Sequence, residues 1–197
     1  MGASYICFAR GVTGRGRAGD YGWASAALKR HGHPATSVVV AGMAGAGYVA
    51  GLLALREGRL RWRAVLALEE RPELVIVDAT GRDHPRRAGL ALHLGAVLDL
   101  PTVGVTERPL AASGKWPADR RGAIEPLVLD GELVGYYVRT RPGVRPVVVH
   151  AAWRTSPEVA VDVVLAAARR ARTPQALRGA RRAARIARSR ADGKEES

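Results

Sequence analysis

Pro72–Gly95 reads PELVIVDATGRDHPRRAGLALHLG. Its apolar run Leu74-Val75-Ile76-Val77, bounded by Pro72 and Gly81, predicts a short buried strand. Asp78 closes that strand at its carboxyl end, where open α/β sheets bind ligands. The plainer reading of Asp78 is a turn or helix-cap residue, and the stretch alone leaves both open. A basic cluster, His84-Pro85-Arg86-Arg87, follows the glycine turn. The alanine- and leucine-rich segment Arg86–Leu98 then predicts a helix whose small residues pack closely on a sheet.

Upstream, Ser4–Phe8, Trp23–Leu28 and Ser37–Val40 predict three strands. Arg10–Gly19 (RGVTGRGRAG) is a glycine- and arginine-rich loop, and His31-Gly32-His33-Pro34 is a turn whose two histidines are read as solvated. Met43–Gly51 is a small-residue loop carrying Tyr48. Leu52–Arg71 has helical periodicity, and within it Glu57 stands four residues before Arg61, the spacing of an ion pair on a solvated face. Downstream, Pro101–Val105 is a buried strand and Thr106–Gly122 a long loop of the kind that is functional or disordered in compact domains. Leu127–Val138 predicts a hairpin about Asp130-Gly131, and Arg145–His150 another strand. Ser156-Pro157 opens a helix running to about Ala171.

Thr173–Arg190 is a basic helix with Arg178, Arg181, Arg182 and Arg185 on one face, and residues 191–197 form a polar tail. This order predicts one α/β domain over residues 1–190, with a ribonuclease-H-like mixed five-stranded sheet flanked by helices. Acids at the strand ends of such a sheet bind divalent cations.

The 197 residues carry a formal net charge of +13, and all but three of the 31 basic residues are arginine. Arginine binds phosphate bidentately and stacks on bases, so the balance favours a nucleic-acid partner. The single cysteine, Cys7, excludes an intramolecular disulfide framework and a cysteine-rich zinc site. No apolar run has the length of a membrane span, and the expectation is a cytoplasmic monomer.

Four blocks resemble the endonuclease V family in order and spacing over about residues 20–180: GYVAGLLALREG (47–58), VIVDATGRDHPRRAGLALHLG (75–95), LDLPTVGV (98–105) and GELVGYYVRTRPGVRPVVVH (131–150). The resemblance implies a ribonuclease-H-like nuclease using Mg²⁺ or Mn²⁺. It implies recognition of deaminated bases, chiefly inosine, in DNA or RNA, and cleavage of the second phosphodiester bond 3′ to the lesion. Carried over residue by residue, Asp78 and Glu57 become metal ligands and catalytic acids, and His84 the catalytic histidine of the HPRR block. Tyr48 becomes the wedge that parts the strands, Gly51, Leu53, Gly81 and Leu90 the base pocket, and Arg86 and Arg87 phosphate contacts. The chemistry is consistent: carboxylate-held Mg²⁺ stabilises the phosphorane charge and activates water. An aromatic wedge and a glycine-lined pocket offset the few kcal/mol of unstacking a flipped base costs.

Four departures stand out. The family's first-strand aspartate position carries Tyr5, which leaves Asp20 as the only acid before Glu57 and a candidate replacement ligand. The family's lysine after the strand at 101–105 is replaced by Thr106-Glu107, a late histidine by Trp153, and the prolines around the wedge by Gly47 and Ala50. Two readings follow: a cleaving enzyme with exchanged ligands, or a nucleic-acid-binding module that keeps the base pocket and basic surface. A different RNA-directed activity on the same fold is a third.

Overall fold

A computed structural model of the chain describes residues 1–9 and 16–195. Most of the arginine-rich loop at 10–19 lies outside the described residues. Among the described residues eight strands form one sheet: β1 (Gly2–Phe8), β2 (Tyr21–Leu28), β3 (Thr36–Met43), β4 (Val75–Val77), β5 (Thr102–Thr106), β6 (Ile124–Leu129), β7 (Glu132–Val138) and β8 (Val147–Ala151). Their spatial order is β3-β2-β1-β4-β5-β8-β7-β6. β1 pairs antiparallel with β2 and parallel with β4, and β4 runs parallel to β5. The five strands β3-β2-β1-β4-β5 are the expected ribonuclease-H-like sheet. The strand β8 and the β6–β7 hairpin extend it to eight, because Val103–Thr106 pairs antiparallel with Val148–Ala151 and leaves no free edge at β5.

Among the described residues four helices cover the sheet: α1 (Leu53–Leu66), α2 (Leu90–Leu98), α3 (Pro157–Ala167) and α4 (Gln175–Glu195). Strand alternation sorts the core into two layers. Val75 and Val77 join Leu60, Ala64, Leu90 and Leu94 beneath α1 and α2. Ile76 points the other way, into a cluster with Ala160, Val164, Ala176 and Leu177 of α3 and α4. Ala176, Ala180 and Ala184 of α4 are buried, and Ser25 donates its hydroxyl to the Ala180 carbonyl at 2.6 Å. Small residues thus let α4 lie close on the sheet.

The expected elements differ at their ends for local reasons. α2 starts at Leu90 rather than Arg86, because Arg87 has φ +55° and Gly89 is extended, which breaks helical geometry. α3 starts as predicted, with Ser156 accepting from the Val159 N–H and Pro157 in the first turn, but ends four residues early. α4 continues through most of the expected polar tail, to Glu195. Among the described residues no helix is long and apolar enough to cross a membrane.

Candidate nucleic-acid site

Asp78 follows the short strand β4 and stands at a junction. Its backbone N–H donates to the Ser4 carbonyl at 3.3 Å, continuing the β1–β4 ladder one step beyond Ser4↔Val77. Tyr5 is therefore the residue beside Asp78 on the neighbouring strand.

A cavity of about 900 Å³ opens on one side of Asp78. Tyr48, Gly51, Leu53, His84, Arg86 and Leu90 line it, joined by Trp62, Thr80 and Thr106. Several parts of the chain meet there: the 48–53 loop, the HPRR turn, α1, α2 and the ends of β4 and β5. His84 ties the first two together. Its Nε2 donates to the Gly51 carbonyl at 2.9 Å, and its Nδ1 accepts the Arg86 N–H at 3.1 Å. Both ring nitrogens of the expected catalytic histidine are therefore engaged within the protein, and the residue is 3% exposed. Gly51 has φ +76°, where a side chain would be strained, and an added Cβ would sit 3.2 Å from that ring. Tyr48 stands at the rim, 43% exposed.

Gly81 does not line the cavity. An added Cβ there would meet the Ala151 carbonyl at 2.1 Å, so this glycine serves the close approach of the post-β4 turn to β8. Arg86 is exposed, with one amine 3.3 Å from the Gly51 carbonyl. Arg87 is turned away from the cavity and held by the Leu129 carbonyl, Asp130 and Glu132.

The candidate acids are arranged differently. Asp78 Oδ1 accepts from Arg181 of α4 at 2.9 Å, and that guanidinium lies 5.7 Å from the Tyr5 ring centre. Arg185 stacks at 5.9 Å on the same ring. Glu57 is buried and accepts from Arg61 Nε and Nη2 at 3.0 and 2.7 Å. Arg61 goes on to donate to the backbone carbonyls of Ser4 and Asp78. The i,i+4 pair read as solvated is in fact a core contact that stitches α1 to β1 and β4. Asp20 accepts from Arg56 at 2.7 Å and from the Arg17 N–H. Those two bonds hold its carboxyl below the usual range. Arg56 itself is sandwiched over Phe8 at 4.1 Å. Glu107 is paired with Arg172 on the surface.

Sequence reading missed a buried network behind the cavity. Asp83, with no exposure, accepts the N–H groups of Leu110, Ala111 and Ala112 at 2.7–2.8 Å and so folds the long 106–122 loop against the cavity wall. Beside it, His150 lies 3.8 Å away and contacts the Thr106 hydroxyl at 2.8 Å. Burial pushes His150 down to about 4, although the Asp83 charge pulls the other way. The available signal was an acid directly before the HPRR block; nothing local showed which amides it would satisfy.

A profile of the family described as Endonuclease V matches residues 18–182. The chain belongs to the endonuclease V family. Endonuclease V of Roseiflexus sp. (strain RS-1) is 44% identical over 133 residues, covering 68% of this chain and 60% of that protein. The chain thus spans about 60% of the length of the curated relatives it matches. The crystal structure of endonuclease V from Streptomyces avermitilis is 32% identical, with a TM-score of 0.87, covering 97% of this chain and 82% of that one. Endonuclease V of Ciona intestinalis, solved in complex with a 24mer DNA containing an inosine followed by a ribo-adenosine, shares the fold at a TM-score of 0.79 and 18% identity, covering 96% of this chain and 85% of that one.

The endonuclease V resemblance implies a divalent cation, and the residues present do not fit one. A Mg²⁺ site needs several oxygen ligands converging on one point. Among the described residues no group of three or more His, Cys, Asp or Glu side chains converges in this way. Asp78, Glu57 and Asp20 each carry an arginine partner, and a phenol ring stands beside Asp78.

Proposed function

We propose that this chain acts as an endonuclease V-type protein on nucleic acid containing deaminated bases, inosine foremost, in DNA or RNA. The observation that carries the reading is the single cavity that gathers Tyr48, Gly51, Leu53, His84 and Leu90 beside Asp78. A flipped base needs an apolar slot with a few polar groups for its edge. The cavity offers mostly apolar walls, with Thr80, His84 and Thr106 among its polar members. Tyr48, exposed at the rim, would stack on the base step left behind, a contact tolerant of sequence because every base has a π-face. The excess of arginine suits the backbone.

As an enzyme of this family the chain would cut the second phosphodiester bond 3′ to the lesion. A specific observation favours a second reading, in which the lesion is bound and not cut: every candidate metal ligand is already paired with arginine. The test is a nicking and binding assay on matched strands with and without one inosine, as duplex DNA, single-stranded DNA and single-stranded RNA, with either metal. Inosine preference supports the site. Nicking lost on Asp78→Ala supports the enzyme, and preference without nicking supports the binder. Absence of any inosine preference rejects both.

A further inference from the structure

We infer that the Arg181 guanidinium stands where a divalent cation would act, making this a metal-independent phosphate-binding position next to the base cavity. The inference rests on the lesion-binding reading for its ligand, but not for its geometry. Arg181 reaches Asp78 Oδ1 at 2.9 Å and lies over the Tyr5 ring, with Arg185 on the same ring. Arg61 meets Glu57 in the same way on the opposite face of β1 and β4, bridging to both strands. Two carboxylates are thus each paired with a guanidinium. Tyr5 completes the exchange: a neutral ring with a negative π-face is a suitable neighbour for a cation and a poor ligand for Mg²⁺.

The chemical consequence follows from what a guanidinium can do. It presents N–H donors in a planar fork that suits phosphate oxygens, and it keeps its charge at any physiological pH. It therefore neutralises a phosphate as a metal would. It has no open coordination position, so it cannot bind a water and lower its pKa, which is the other half of metal-assisted hydrolysis. A strand whose inosine enters the cavity meets Arg181, still one-fifth exposed, at the neighbouring phosphate and is held without being hydrolysed.

The experiment has two independent arms on the full chain. In the first, Mn²⁺ is titrated alone and followed by electron paramagnetic resonance. Wild type is expected to show no bound Mn²⁺, and Tyr5→Asp/Arg181→Asp, which surrounds Asp78 with carboxylates, is expected to gain it. Bound Mn²⁺ in wild type that disappears in Asp78→Asn overturns the inference. In the second arm, fluorescence anisotropy measures a labelled inosine strand in EDTA and in Mn²⁺. Equal affinity is expected, with a salt slope that falls by about one for Arg181→Gln and is restored in Arg181→Lys. Affinity that requires Mn²⁺, an unchanged slope in Arg181→Gln, or nicking by wild type overturns it. Loss of inosine preference alone rejects the lesion reading and leaves the metal titration to judge the arginine. If circular dichroism shows the double variant unfolded, the wild-type titration and the Arg181→Lys rescue still decide.

Discussion

Two regions meet at Asp78, and the chain treats them in opposite ways. The cavity side keeps its space open: glycine at 51, a rim tyrosine and walls from several chain segments leave about 900 Å³ free. The acid side is closed, with Arg61, Arg181 and Arg56 each bonded to a carboxylate. An open cavity and a closed set of acids are therefore separable in this architecture. The first depends on backbone shape and on buried struts such as Asp83; the second depends on a few charges. A handful of substitutions can convert the second while the first stands.

The largest effect is expected where the closed side is structural. Arg61→Ala leaves Glu57 buried without its partner and removes the bridge from α1 to the Ser4 and Asp78 carbonyls. Breaking one member of a buried pair costs about 3–5 kcal/mol. Urea denaturation should show that loss, and added Mn²⁺ should not recover it. A loss below about 1 kcal/mol, the range of surface pairs, would mean that Glu57 is free to serve elsewhere and would break the contrast between the regions.

The open side has its own strut, and pH should loosen it. His150 is buried and neutral, held down to about 4 by burial, whereas the unfolded imidazole titrates near 6.5. Between those values the unfolded state binds a proton that the folded state does not, so stability falls as pH drops through this window and is whole above it. The integral over the window is about 3 kcal/mol. Urea midpoints measured from pH 7 downward should show this slope, and His150→Gln should flatten it. A slope of the same size in His150→Gln would assign the effect to other groups.

The sheet was largely legible because apolar runs bounded by glycine and proline mark buried strands. Val75-Ile76-Val77, the Asp130-Gly131 turn and the Ser156-Pro157 helix start all appear where pattern placed them. Helix α2 starts later than its small-residue pattern predicts because the positive φ of Arg87 is a property of the folded turn, stabilised by its contacts to the hairpin. Part of the cavity lining, Tyr48, Gly51, Leu53, Asp78, His84, Arg86 and Leu90, was legible through motif resemblance, which carries three-dimensional information that periodicity lacks. The pairing of acids with arginines was not. The spacing of Glu57 and Arg61 showed that they could touch, but whether a pair is solvated or buried depends on what lies over it. Arg181 and Asp78 are 103 residues apart, a separation no local pattern spans.

A middle-sized effect tests the cavity directly. Tyr48→Ala removes the rim aromatic without touching the Asp83 network or the arginine pairs. Stacking of a base on an aromatic is worth about 1–3 kcal/mol, so affinity for an inosine strand should fall about tenfold or more at unchanged thermal stability. Anisotropy with matched inosine and adenosine strands would show it. An equal loss for both strands would make Tyr48 a general stacking platform rather than part of lesion opening.

The smallest effect separates two adjacent arginines that the sequence presents as equals. Arg86 is exposed at the cavity and tethered by a single 3.3 Å contact to the Gly51 carbonyl. Arg87 is occupied by the Leu129 carbonyl and the carboxylates of Asp130 and Glu132. A phosphate contact contributes about one to the slope of log affinity against log salt. Arg86→Ala should therefore lower that slope by about one, uniformly across sequences. Arg87→Ala should leave it unchanged while costing up to about 1 kcal/mol of stability, as partly exposed ion pairs do. Were Arg87→Ala instead to lower the slope, the β6–β7 hairpin would have to release it when nucleic acid binds. The boundary of the interface would then extend past the cavity rim to that hairpin.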